Sequence, residues 1–372
     1  MGLFSSLTRN LFRGSRLLDV PAILAQAKFQ ELRRRYYDDY WPKAAQEAGA
    51  ICEKWDGGFH RLTRSGTAIL VRGPEVRLDD HLTLNLMGNK ALTYRLMAEQ
   101  GFAVPEHVRF RVTAMAKALA LLQSSGRPLV IKPASGTGGG RGVTTGITSA
   151  TALRIAALSA ARFDPDLIAE EQIDGHSYRL LFLDGQFIDA IRRDPPRVTG
   201  DGCQSIADLV AAENRQRLLL RPVTALSPLR LDRDARLYLA AQDLSARSVP
   251  AKGETIIVKR AVNENTAAEN VVVRNSVHAD TIESCTRLVR VLGVRFAGID
   301  ILARDIARPL TRDNGLIGEV NTTPGLHHHD LVANRQPGPS VAAVLVEHLF
   351  TLAGQSAWRE TQSLTHLRMA AA

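Results

Sequence analysis

Helix-forming residues dominate positions 21–48, where Arg33, Arg34 and Arg35 stand in a row before Tyr36, Tyr37, Tyr40 and Trp41. That pattern predicts a long helix with a solvated basic face and an aromatic anchor. Positions 59–76 read as short strands broken at Gly66 and Gly73, and a helix follows near 89–100 with Gly101 as its stop. The chain then alternates: strand 108–112, helix 114–123, a short apolar strand 129–132 running into a glycine cluster, helix 151–162, strand 167–173. Segments 178–183 and 186–191 form an antiparallel pair around the turn Asp184-Gly185. A helix is expected over 206–217, whereas 221–250 is irregular, broken by prolines, and reads as a mobile insertion. Strands at 255–259 and 271–273, an amphipathic helix at 281–292, and a final strand pair at 296–302 and 316–320 complete the pattern. The sum is mixed α/β with hairpins, unlike a repeating βαβ dinucleotide fold.

A chain of 372 residues exceeds what one hydrophobic core fills, so two or three lobes around a shared cleft are expected. Its 45% apolar and 23% charged residues are those of an ordinary globular protein. The basic balance, 47 Lys plus Arg against 38 Asp plus Glu, suits nucleic acid, an acidic polymer or phosphate-bearing ligands. Compositional bias explains an arginine-rich surface as simply, and nucleic acid is not the expected partner. Cys52, Cys203 and Cys285 are far apart and odd in number, which fits a reducing, cytoplasmic compartment better than a disulfide framework or a zinc site. The start lacks an apolar h-region, and no run of about 18 apolar residues occurs, so neither secretion nor membrane spanning is expected.

Two stretches carry chemistry. In VIKPASGTGGGRGV, residues 130–143, a strand delivers Lys132 and then a loop with Ser135, Gly136, Gly138, Gly139, Gly140 and Gly142. Glycines let backbone N–H groups approach phosphate oxygens, and a lysine at a strand end neutralises phosphate charge. The lysine precedes the glycines, so this is not the Walker arrangement. A plain flexible turn is the other reading. Near the C-terminus, GID ends at Asp300 and GEVNTTPG carries Glu319 and Asn321. These are hard oxygen donors on two expected strands, and the Glu-x-Asn spacing puts both side chains on one face, which suits Mg²⁺. Alone, GEVNTTPG reads as a strand ending in an Asx-type turn before Pro324.

Taken in order, these motifs resemble the ATP-grasp enzymes, and within them the amino-acid-adding ligases similar to the ATP-grasp module of cyanophycin synthetase. The resemblance covers roughly residues 84–349 and rests on NKALTYRLMAEQGFAVPEH, the glycine loop, EEQIDGHSYRLLFLDGQFIDAIRRDPPRVTGDG, VPAKGETIIVKRAVNENT, GIDIL and EVNTTPGL. It implies two α+β subdomains gripping ATP after a short N-terminal region. The expected division is 1–83 for that region, 84–350 for the ATP-grasp domain with a lid at about 108–170, and 351–372 for a C-terminal tail.

Residue by residue, the resemblance puts Lys90 and Lys132 on the ATP phosphates and closes Ser135 and the Gly136, Gly138, Gly139, Gly140 loop over them. Glu170, Glu171 and Ile173 match the hinge that contacts adenine, while Ser177 stands where the family usually has an acidic residue for the ribose. Asp300, Glu319 and Asn321 match the ligands of magnesium, with Mn²⁺ as an alternative. Arg179, Arg192 and Arg193 match arginines that face phosphate or carboxylate oxygens, with a salt-bridged strand surface as the other reading. Lys259 occupies a place where relatives more often carry arginine, Asn263 matches an asparagine, and Ala267 and Ala268 replace a glycine pair. Arg193 and Lys259 are the candidates for stabilising an oxyanion. His327, His328 and His329 read as a polar loop lining the amine-acceptor pocket, because three successive side chains of an extended strand cannot reach one ion.

The implied activity is ATP-dependent joining of a small-molecule carboxylate to an amine through an acyl phosphate, on amino acids or small peptides. The chain ends soon after the ATP-grasp region, so a standalone ligase is expected rather than a complete synthetase of the cyanophycin kind. A homo-oligomer is common in such ligases. A small-molecule kinase on the same fold, or a non-catalytic ATP-binding regulatory protein, are the rival readings, because fold alone does not establish function.

Overall fold

The computed structural model describes residues 20–135, 140–219 and 223–370, with side chains described from 24 to 355. Helix α1 (Val20–Glu47) leads into an antiparallel meander of β1 (Ile51–Lys54), β2 (Phe59–Arg64), β3 (Thr67–Arg72) and β4 (Glu75–Val76). Two helices follow, α2 (His81–Met87) and α3 (Lys90–Glu99). The Asp80 and Asn89 side chains cap them by accepting from the amides of Thr83 and Leu92.

A four-stranded sheet in the order β5–β8–β6–β7 comes next, built from β5 (His107–Phe110), β6 (Leu129–Pro133), β7 (Thr144–Ile147) and β8 (Leu167–Glu171). Helices α4 (Ala116–Ser124) and α5 (Ala150–Ala161) pack on one side of it around Leu121, Leu129, Ile131, Leu153 and Leu167.

The central sheet contains β9 (His176–Leu183) and β10 (Gln186–Arg193), then β13 (Asn270–Val272), β14 (Phe296–Ala303) and β15 (Gly315–Asn321), in the order β13–β10–β9–β14–β15. Every pairing in it is antiparallel. The β9–β10 connection is the expected tight turn: Asp184 and Gly185 both have positive φ, 47° and 75°, as a two-residue hairpin loop of the right twist needs.

Strand β9 is buried on both faces, and its alternation divides two cores. Tyr178, Leu180 and Phe182 enter a core closed by α3 and by helix α8 (Ala279–Val291). Leu181 and Leu183 enter the other, with Tyr37, Tyr40 and Trp41 of α1, Leu62 and Val71 of the meander, and Leu345, Val346 and Leu349 of α10 (Val341–Ala370). That last helix runs through residue 351, where a tail was expected to begin.

Between β10 and β13 lies the insertion: β11 (Arg197–Thr199) paired with β12 (Thr255–Ile257), α6 (Ile206–Arg217), and α7 (Arg233–Ala240). The irregular reading of 221–250 is corrected by α7, which is capped by Asp232 and packs Ala235 and Leu239 against Ile206, Val210, Leu229 and Val258. Among the described residues no helix is long and apolar enough to cross a membrane.

Candidate active site

Register places the site. On β9, Arg179 lies opposite Ile191 of β10 on one side and Asp300 of β14 on the other; Asp300 lies opposite Glu319 of β15, and Ser177 opposite Arg193. Cross-strand partners share a face, so Ser177, Arg179, Arg193, Asp300 and Glu319 all project from the face that also carries Leu181 and Leu183. Asn321, two residues beyond Glu319, joins them and donates its amide to the Gly298 carbonyl at 3.3 Å, leaving its side-chain oxygen as a donor for a cation.

Asp300 is the electrostatic centre. Arg179 grips it with Nε at 2.6 Å and Nη2 at 2.8 Å, and Nη2 of Arg193 lies 3.1 Å from the same carboxylate while donating to Ser177 at 2.8 Å. Burial alone would raise the Asp300 carboxyl, but the two guanidiniums outweigh it and hold it at about 2. Arg193 is drawn down to about 10, by burial first, with Asp300 acting the other way.

The two lysines meet the site from its other edge. Lys90, the first residue of α3, forms an ion pair with Glu319. Lys132, at the end of β6, lies 2.7 Å from Glu170 and donates to the Tyr94 hydroxyl at 3.1 Å. The Tyr94 hydroxyl is also 2.9 Å from Glu170 and 2.8 Å from the Gly318 carbonyl, so one phenol ties the β5–β8–β6–β7 sheet to β15. Burial, then the Glu170 carboxylate, keeps that phenol well above its ordinary range and therefore neutral. Tyr94 was not singled out in the sequence, although its place four residues after Lys90 puts both on one helix face.

Of the glycine loop, Gly136, Gly138 and Gly139 lie outside the described residues. Ser135 precedes them, with its amide and hydroxyl both donating to Asp164 at 3.0 and 2.7 Å. Gly140 follows them with φ +65°, packed so closely that a Cβ there would lie 2.6 Å from Asn263 Nδ2. Asn263 thus stands over the end of the loop.

Other expected residues stand apart. Arg192 alternates to the face opposite Arg193 and pairs with Asp194 at 3.0 Å, so it does not join the Asp300 group. Lys259 is 2% exposed, and its ammonium is engaged by Asp232 at 2.9 Å and Glu264 at 2.6 Å within the insertion. Glu170 turns inward to Lys132, Glu171 is half-buried with Arg312 at 3.9 Å, and Ile173 is half-buried beyond the end of β8. The three histidines are not a polar loop: residues 327–330 form one helical turn, α9 (His327–Asp330), with His327 and His329 buried.

Asp300, Glu319 and Asn321 offer three oxygen donors from neighbouring strands, with no sulfur or imidazole among them, and this fits a hard divalent cation such as Mg²⁺. Among the described residues no group of three or more His, Cys, Asp or Glu is placed to hold a metal ion, so any such site depends on the amide of Asn321. The cations Lys90 and Lys132 beside it fit a polyphosphate, which can compete with Glu319 and Glu170 for them.

No family model matches the chain. In sequence it is 31% identical over 277 residues to the cyanophycin synthetase of Trichormus variabilis, an alignment covering 72% of this chain and 30% of that protein. It is 28% identical over 260 residues to the glutathione biosynthesis bifunctional protein GshAB of Mannheimia succiniciproducens, covering 68% of this chain and 34% of that one. The chain spans about a third of the length of these relatives. Among solved structures, a bifunctional glutathione synthetase from Pasteurella multocida superposes with a TM-score of 0.52 at 23% identity, covering 83% of this chain and 43% of that one. That likeness shows a shared fold.

Proposed function

We propose that this chain, which has the ATP-grasp fold and is related in sequence to cyanophycin synthetase and GshAB, is an ATP-dependent carboxylate–amine ligase acting on amino acids or small peptides. The observation that carries the reading is the placement of Asp300, Glu319 and Asn321 on one sheet face, between the Arg179–Arg193 pair and the two lysines. When bound, ATP supplies the phosphoryl group that converts a carboxylate into an acyl phosphate, and Mg²⁺ draws charge from the phosphate oxygens.

The chain's own residues do the positioning. Lys90 and Lys132 neutralise phosphate charge, with Tyr94 fixing the Lys132 ammonium against β15. Asp300, Glu319 and Asn321 would hold the cation. Arg179 and Arg193, both held on Asp300, aim guanidinium donors at the space beside it, where they would orient the substrate carboxylate and steady the oxyanion formed as the amine adds. Lys259, buried between two carboxylates, braces the insertion, and through Asn263 that insertion presses on the end of the glycine loop.

The test is phosphate release from ATP with Mg²⁺ across a panel of amino acids and short peptides, beside Asp300→Ala and Glu319→Ala. Release that needs both a carboxylate and an amine, yields a condensed product by mass, and disappears in both variants supports the ligase. Phosphorylated product without an amine would establish the kinase instead; tight ATP binding with no turnover would make the chain a regulatory ATP-binding protein.

A further inference from the structure

The sheet face bearing Arg179, Arg193 and Asp300 shares its core with α1 and with Leu326, the residue just before the α9 turn. The Tyr37 hydroxyl lies 3.2 Å from Nδ1 of His327, and the Tyr36 hydroxyl donates to Asp330 at 3.1 Å. His329 meets Asp189 of β10 at 2.7 Å. The turn is pressed tightly against its own start, since a Cβ on Gly325 would lie 2.6 Å from the His327 ring. Helix α1 precedes every motif of the resemblance, yet it borders this site.

Positive charge gathers at the turn, and among the described residues the Arg33 part of it has no ion-pair partner. The Arg33 guanidinium, from α1, lies against the Tyr37 phenol. Burial foremost, then the charges of Arg33 and Arg179, keep the His327 imidazole well below its usual range. Burial, His327, and then Arg179 and Arg193 do the same for His328. Guanidiniums therefore flank the turn from the helix side and from the sheet side.

The nearby carboxylates are committed: Asp300 to Arg179 and Arg193, Asp189 to His329, Asp330 to Tyr36. Among the described residues none lies within ion-pairing distance of Arg33, although its side chain is half-buried. Among the described residues, Nε of Arg33, Nε of Arg193, Nδ1 of His328 and Nε2 of His329 are buried with no hydrogen-bond partner, while Arg193 and His329 are 3% and 7% exposed. Buried polar atoms are rarely left so in a folded protein, and a cluster of them beside unpaired positive charge matches an anionic ligand.

We propose that Arg33, together with the His327–His329 turn, is a specificity-determining receptor for a carboxylate that a substrate carries in addition to the groups being joined. The proposal rests on the ligase reading for what that substrate does. A guanidinium fork matches the planar carboxylate, and a neutral imidazole N–H supplies a further donor without adding charge. Phosphate is served elsewhere, because Lys90 and Lys132 converge on Tyr94 and β15 and not on this turn. The carboxylate belongs either to the amine substrate, as the free C-terminus of an amino acid or peptide, or to the acid substrate as its second carboxyl.

Titration calorimetry on the full chain tests this with two probe pairs differing by one carboxylate: glycylglycine against glycylglycinamide, and L-glutamate against L-glutamine. Wild type is compared with Arg33→Gln and Arg33→Lys, and with Arg34→Gln at the exposed neighbouring position. At least one carboxylate probe should bind about tenfold tighter than its amide, the scale of one charge-assisted contact. In Arg33→Gln that ratio should fall to within about twofold, in Arg33→Lys it should be partly kept, and in Arg34→Gln it should match wild type. Discrimination in the dipeptide pair assigns the carboxylate to the amine partner, and discrimination in the glutamate pair to the acid. The proposal is overturned if neither pair discriminates or if Arg33→Gln keeps the wild-type ratio. Phosphate release that needs acid and amine but ignores Arg33 would leave the ligase and reject the receptor. An Arg33-dependent ratio with no turnover would do the reverse.

Discussion

Asp300 holds two buried arginines at once, so its loss has a structural cost apart from chemistry. Asp300→Asn leaves Arg179 and Arg193 without their shared charge, and the destabilisation expected for breaking a buried pair is about 3–5 kcal/mol. Urea unfolding should show a lower midpoint with unchanged slope; an unchanged midpoint would mean that water already neutralises the pair. The histidines of the α9 turn set a different dependence. His327 and His328 are held well below their usual range, so as pH falls through about 6.5 the unfolded chain takes up protons that the folded chain refuses. Stability therefore declines with falling pH, by up to about 1.4 kcal/mol per unit for each histidine. The groups facing them, Arg33, Arg179, Arg193 and His329, all disfavour a further positive charge. Thermal midpoints from pH 7.5 to 5 should drop, and His327→Gln should shallow the slope. At this scale the shared face of Glu319 and Asn321 was legible in sequence, because Glu-x-Asn spacing on a strand fixes it by itself. Which of Arg192 and Arg193 turns inward was not, since it depends on a register containing a bulge between Phe187 and Asp189.

Elements with strong local signals matched their expectation: the Asp184-Gly185 hairpin needs only its turn chemistry, and α6 carries a Ser205–Asp208 capping box. Helix α7 escaped because it has only eight residues and becomes stable by packing on a core drawn from β11, α6 and β12. Its first turn does more than hold the insertion. The Asp234 carboxylate, 2% exposed, accepts from the amide and hydroxyl of Thr145 at 2.8 and 2.7 Å, and from the Ala261 amide at 3.3 Å. One carboxylate thus links the insertion to β7, directly after the glycine loop. Asp234→Ala should cost about 1–3 kcal/mol, from donors left buried and unmet. Amide exchange should quicken at 144–147 and 260–263 while the β9–β10 hairpin stays protected. Uniform quickening across both regions would show that the link carries no local role.

At the scale of the whole molecule, the sequence reading set the first 83 residues apart as a region preceding the nucleotide-binding body. Nothing in the pattern of α1 says what its aromatic face meets, because that partner lies hundreds of positions away. In the folded chain Trp41 is fully buried, donates its indole N–H to the Gly73 carbonyl at 3.0 Å, and shares one core with Leu181, Leu183, Phe296 and Leu345. Arg64 of the meander pairs with Glu347 of α10, joining the meander to that last helix. The strands that place Arg179 and Asp300 therefore have one of their two cores completed by α1 and α10. Removing an indole from such a core costs about 3–5 kcal/mol, and the consequence depends on how that core is coupled. If the N-terminal region is part of one cooperative unit, Trp41→Ala lowers a single unfolding transition, seen at the same denaturant concentration by far-UV circular dichroism and by ATP-binding competence. If it is an appendage, the variant splits off an early transition of small amplitude while ATP binding keeps its wild-type midpoint. The shared core predicts the first result, and with it a decline in ligand binding from a substitution that touches no site residue.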